Sequence, residues 1–194
     1  PTPSETDQKG AFIENIIRTG RNDIVCELLK RNFTQEKIFT HDEFTEVCRY
    51  SIDNNIREIT NILAKYPSQI LRNPDLGNSF IHQLIADNNP DHVLTFIKSG
   101  GIEDMKMLDQ AYVIPMSLLA EYVMSNVKEG IPLLVEHIEK ITSINPSVAI
   151  QVLFHIVSNK NTEAMRIFAG KLDLVSELPL TPEIQSGLLA FFLE

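Results

Sequence analysis

Apolar residues in this chain recur at i, i+1, i+4 and i+5: Phe12, Ile13, Ile16 and Ile17, then Ile24, Val25, Leu28 and Leu29. That spacing puts each set on one side of a helix, and each set covers only a few turns. A helix so short is marginal in water by itself, so its stripe must be buried against a neighbour. Between the two sets, Gly20 suits a left-handed stop and Asn22 a cap for the next start. The pattern predicts a helical hairpin.

The same grammar returns along the chain. A second pair carries Phe44, Val47, Cys48, Ser51 and Ile52, then Ile56, Ile59, Ile62, Leu63 and Tyr66, and Thr40 with Glu43 forms a capping box at its start. A third has Phe80, Ile81, Leu84 and Ile85, then Val93, Leu94, Phe96 and Ile97, with Asn89 as cap and Pro90 in the first turn. The fourth runs through Met116, Leu119, Tyr122 and Val123 to Leu133, Leu134, Ile138 and Ile141, with Pro132 near the second start. Asn145-Pro146 opens a fifth, with Val148, Val152, Leu153 and Ile156, then Ala164, Ile167 and Phe168. A last helix after Thr181-Pro182 holds Ile184, Leu188, Leu189 and Phe192. Registered on Asn22, Asn55, Asn89, Asn126 and Asn161, the turns stand 33, 34, 37 and 35 residues apart. A period near 34 with two helices per unit and no strand-like alternation predicts an all-α chain, an α-solenoid of about five helix-turn-helix repeats with a C-terminal capping helix. Residues 1–9 are polar and read as a flexible N-terminal tail of an excised or processed chain, leaving 10–194 as a single helical domain.

One unit carries a family resemblance. Ser79-Phe80-Ile81-His82 resembles the ankyrin Thr-Pro-Leu-His, Gly77 stands where the ankyrin glycine does, Leu84-Ile85 fall on the usual alanine pair, and Gly100-Gly101 fits the Gly-Ala exit. Residues 75–101 thus resemble a degenerate ankyrin repeat. The other units keep the helix pair and the period without the tetrapeptide, which leaves another α-solenoid as the alternative to a diverged ankyrin-like stack. The resemblance implies partner contacts from finger tips and inner helices: Asp75, Leu76 and Asn78 at the tip, Gln83, Ala86 and Asp87 along the inner helix. It implies structural roles for Gly77, Gly100 and His82, the histidine bracing the finger. Further tips are Gln35, Glu36 and Lys37, and Asp104, Lys106 and Asp109.

Charge narrows the partners. The net charge is −9 and the 17 basic residues are scattered, so nothing concentrates positive charge for nucleic acid or an anionic membrane. No apolar run approaches the roughly 20 residues that span a bilayer, and no signal peptide opens the chain. The expectation is a cytoplasmic, non-catalytic protein-protein interaction module whose partner has a basic surface. The last helix has apolar residues on more than one face, so it either caps the stack or meets a further domain or a second copy.

Candidate chemistry is sparse. Cys26 and Cys48 sit in apolar helical patterns and read as reduced core residues. His82 and His92 lie on different helices without a third ligand, so no metal or other cofactor is expected, and His92 reads as solvent-facing. Glu136, His137 and Lys140 read as a solvated helix face with a Glu136–Lys140 pair. Met105, Met107 and Leu108, in the longest connection, read as loop residues tucked on the core. An enzyme using a His, Cys and carboxylate cleft is the alternative; no phosphate loop, nucleophile elbow or zinc spacing supports it.

Overall fold

A computed structural model describes residues 15–16, 18–34, 38–106, 109–171, 173–174 and 178–193. The tail at 1–9, Phe12, Ile13 and Ile17 of the first stripe, the tip at Gln35, Glu36 and Lys37, and Met107 with Leu108 lie outside them.

The chain is all-α; the described residues form thirteen bounded α-helices and no strand. In order these are α1 (Asn22–Thr34), α2 (His41–Asp53), α3 (Arg57–Ala64), α4 (Pro67–Ile70), α5 (Pro74–Ala86), α6 (Pro90–Lys98) and α7 (Gly101–Lys106). After a 3-10 turn (Asp109–Tyr112) come α8 (Val113–Asn126), α9 (Gly130–Glu136), α10 (Ile138–Ile144), α11 (Pro146–Ser158), α12 (Thr162–Ala169) and α13 (Pro182–Leu193). Packing sorts them into two main rows. In an inner row α2 packs on α5, α5 on α8, α8 on α11 and α11 on α13. In an outer row α1 packs on α3, α3 on α6, α6 on α9 and α9 on α12. Short helices occupy connections from outer to inner row, and α4 meets α7 as α7 meets α10. Phe80, Phe96, Ile81, Leu119, Val152 and Phe168 are fully buried between the rows.

Local chemistry sets the ends. Thr40 and Glu43 form the predicted capping box at α2, and Asn73, Asn89 and Asn145 cap α5, α6 and α11, each followed by proline in the first turn. Three inner-to-outer turns reverse through one left-handed residue, Asn55 (φ 52), Asn88 (φ 48) and Lys160 (φ 50), and Gly20 (φ 66) does the same ahead of α1. At two of them the next amide reaches back five residues, Ile56 to Ser51 and Asn161 to Ile156, which satisfies helix-end carbonyls. The registering asparagines therefore do different jobs: Asn55 is the left-handed residue, Asn89 and Asn161 are caps, and Asn126 ends α8. Asn22 is not the cap expected of it; it is the first residue of α1, and its Oδ1 is buried without a hydrogen bond.

Successive units are tied at these corners. Gln83 of α5 donates to Asn55 of the preceding turn, Tyr122 of α8 donates to Asn88 at 3.0 Å, and the α11 cap Asn145 donates to Ser117 of α8 at 3.2 Å. Tyr112 lies fully buried and donates to the Leu71 carbonyl at 2.8 Å, directly over Gly77.

Three outcomes follow from this packing. A Cβ at Gly77 would run into the pinned Tyr112 hydroxyl, so Gly77→Ala should lower stability by about 1–3 kcal/mol despite the better helix propensity of alanine, and adding Tyr112→Phe should recover part of it; denaturant melts check both. Lys160→Gly should raise stability by up to about 1 kcal/mol by removing a left-handed non-glycine residue, seen as a higher Tm. Burial pushes the Tyr112 hydroxyl from 10.0 up to about 12. The folded state holds that proton more tightly than the unfolded chain, so its stabilising effect is complete below pH 10 and is lost as pH rises toward 12. Tyr112→Phe should remove that part of the alkaline decline in Tm.

Candidate functional site

Among the described residues, each helix of the inner row keeps exposed positions beside its packed ones. Gln83 and Tyr122 each reach back to the preceding turn and so hold matching places on α5 and α8. One residue before each, His82 and Glu121 point to solvent. The matching exposed positions are Arg49 on α2 and Phe154 on α11, spaced 33, 39 and 33 along the chain (82−49, 121−82, 154−121). Around Arg49 lies a shallow groove with Asp42, Glu46, Tyr50 and Asp53. Around Phe154, which is 53% exposed, lies an open groove of about 610 Å³ between α8, α11 and α13. Its floor is Met124, Ile150 and Ile184, and Glu121, Gln151, His155 and Thr181 stand at its edge. Further exposed apolar side chains are Ile114, 69% exposed at the start of α8, and Leu189, 60% exposed on α13.

Of the described residues expected at a finger tip, none lies on an extended finger. Asp75, Leu76, Gly77 and Asn78 are all within α5, because Asn73 caps and Pro74 starts a helix there. Asp75 and Ala86 are exposed and Asn78 and Gln83 half-buried, whereas Leu76 and Asp87 are buried at 2% and 5%. Leu76 is core. Asp87 accepts from Gln83 at 2.8 Å, and its second oxygen faces His92 Nδ1 at 3.8 Å without a hydrogen bond. His92 is therefore buried rather than solvent-facing, at 9%, because the Asp87–Asn88 turn folds its carboxylate against the start of α6. His82 is exposed and braces no finger. Gly100 is left-handed, φ 88, just past the end of α6.

The outer connections hold a second polar cluster. His137 interrupts what reads in sequence as one helix, separating α9 from α10, and its Nδ1 lies 2.6 Å from Glu103 of α7. Glu136 and Lys140 thus fall on different helices; Glu139 makes the ion pair instead, with Lys171 at 3.0 Å, and that pairing lowers the Glu139 carboxyl. Burial raises the carboxyl of Asp104, with Glu103 beside it adding to the shift and Arg72 opposing it. Met105 is buried, and the backbones of Lys106 and Asp109 end α7 and begin the 3-10 turn. Cys48 is fully buried and Cys26 half-buried, and burial raises both thiols away from the thiolate that nucleophilic chemistry needs. Among the described residues no three His, Cys, Asp or Glu side chains gather as a metal site, and no helix is long and apolar enough to cross a membrane.

Comparison with family models, with curated proteins and with solved structures gives no match. What this site offers chemically is therefore read from its own residues. The sequence pattern singled out α5 but passed over Arg49, Glu121 and Phe154. The signal for them was present as one of the non-core positions of each inner helix, immediately after a pair of core positions.

The two aspartates of α5 and its turn should separate cleanly. Asp87→Ala should cost about 1–3 kcal/mol by leaving Gln83 and His92 without their partner, while Asp75→Ala should stay within about 0.5 kcal/mol. Urea melts of the two variants distinguish them.

Proposed function

We propose that this chain is a non-catalytic protein-interaction module, an α-solenoid of about five helix pairs on a diverged ankyrin-like plan with α13 as its capping helix. It holds a protein partner on the solvent face of the inner row. The sequential packing of both rows supports the solenoid reading, since each pair buries its apolar flank on the next and one edge of every inner helix stays free. The ankyrin part rests on the residues from Gly77 to Gly101; short helices at 67–70, 101–106 and 138–144 take the place of extended fingers.

The observation that carries the interaction reading is the exposed series Arg49, His82, Glu121 and Phe154. Apart from Ser51 and Gly77, the buried positions of the same helices stay apolar from unit to unit, as packing requires. The open position changes from cation to imidazole to carboxylate to aromatic ring, which packing does not require and partner recognition does. Asp75, Asn78, Gln83 and Ala86 border this series on α5 and belong to the same surface. Leu76 and Asp87 support it from beneath.

Affinity capture with a paired control tests the reading. The double variant Asp75→Lys, Glu121→Lys should fold with an unchanged Tm and lose partners that the unmodified chain retains. Arg166→Glu, on the outer helix α12, should keep them. Partners kept by the first variant and lost by the second would place recognition on the outer row and overturn the assignment.

A further inference from the structure

We infer that the partner docks as a basic segment with an apolar anchor: the anchor enters the Phe154 groove, and its Lys or Arg residues lie along the carboxylates toward α2. This rests on the interaction-module reading and adds the chemistry of the ligand.

The first observation is a division of charge. The helices α5, α8, α11 and α13 contain no lysine or arginine at all, and α2 contains only Arg49. Of the outer helices, α1, α3, α6 and α12 each carry at least one and only the short α9 has none. On the open face of the inner row stand Asp42, Glu46, Asp53, Asp75 and Glu121, and none of the five is drawn into an ion pair among the described residues. Unpaired carboxylates on a face nearly free of cations attract a cationic ligand and repel phosphate-bearing ones. A second copy of a chain carrying net charge −9 is repelled in the same way.

The second observation gives the ligand a direction. Charge is concentrated at the α2 end, where Asp42, Glu46 and Asp53 share a groove with Arg49. Apolar surface is concentrated at the other end, in the groove of about 610 Å³ floored by Met124, Ile150 and Ile184 beside Phe154. Glu121 lies at the near edge of that groove, where the two halves meet. A ring or branched aliphatic side chain fits the groove while a cation a few residues away reaches Glu121, and further cations reach Asp75 and α2. Methionine on the floor lets the groove adapt to more than one anchor.

Selection from a random peptide library of about 16 residues displayed on phage, against the 194-residue chain, tests this. Enriched peptides should carry two or more Lys or Arg beside an aromatic or aliphatic anchor, and their binding, measured by fluorescence polarisation, should weaken with added salt. Phe154→Asp should reduce affinity about tenfold or more and Glu121→Lys several-fold, with Tm unchanged in both, while Lys98→Glu on α6 should have no effect. Acidic or uncharged peptides that still lose binding in Phe154→Asp would overturn the ligand chemistry and leave the interaction surface standing. Peptides insensitive to both inner-row variants but weakened by Lys98→Glu would overturn both readings, and no enriched peptide at all would overturn the segment ligand alone. Self-association in sedimentation that Phe154→Asp abolishes would make a second copy the occupant and end the proposal.

Discussion

Every helix among the described residues is too short to stand alone, and the lateral burial of one helix pair on the next is what the remaining structure depends on. The longest, α8, has 14 residues and the outer helix α9 only 7, lengths at which isolated helices are marginal. Stability must come from the stripe each helix buries. A two-row arrangement gives each inner helix between the ends of the row two like neighbours and an outer helix, which leaves one edge in water. Close approach between units makes this work: Gly77 admits the Tyr112 hydroxyl from the next unit, and Gly187 of α13 admits Val157 of α11. Side chains at those two places would hold successive helices apart.

Polar groups at the corners refine the same constraint. Apolar stripes alone would let one pair slide along the next, since burial by area has little direction. Hydrogen bonds have direction. The bonds from Gln83 to Asn55, from Tyr122 to Asn88 and from Asn145 to Ser117 fix each unit against its predecessor. Asn55 and Asn88 serve twice, as left-handed turn residues and as acceptors for the following unit. That double use explains why asparagine, rather than glycine, stands at two of these corners: glycine would meet the backbone demand and lose the tie.

The helix pairs were legible in the sequence because their signals are local. The i, i+4 stripes, the Thr40–Glu43 box and the Asn-Pro starts act within one or two turns, and among the described residues the structure contains the box and both Asn-Pro starts. What was not legible depends on neighbours far along the chain. Gly77, placed by the resemblance beside a finger tip, sits inside α5, and the Tyr112 hydroxyl, 35 residues away (112−77), leaves no room there for a side chain. Asp87 and His92 are hydrophilic at surface-like spacing, yet the turn between them folds both inward. The helix from Leu133 to Ile141 is periodic enough to read as one piece, and it breaks at His137 where Glu103 of α7 takes the imidazole. Of the candidate site, α5 was found through its resemblance, and the series through Arg49, Glu121 and Phe154 emerged only once the helices were aligned in space.

The proposed binding face also accounts for a choice that stability does not. Exposed helix edges gain from Glu and Lys or Arg four residues apart, and α1 uses such a pair, Glu27 with Arg31 at 2.9 Å. The inner helices from α5 onward forgo it, having carboxylates at Asp75 and Glu121 but no base to pair with them. An internal ion pair on that edge would have to be broken, and its charges desolvated, before a ligand could use either carboxylate. Leaving the carboxylates unpaired gives up a few tenths of a kcal/mol per pair in the free chain, about the value of a surface pair on a helix. In return, the carboxylates stay available to an incoming cation, and the cost of clearing the face falls on folding rather than on binding.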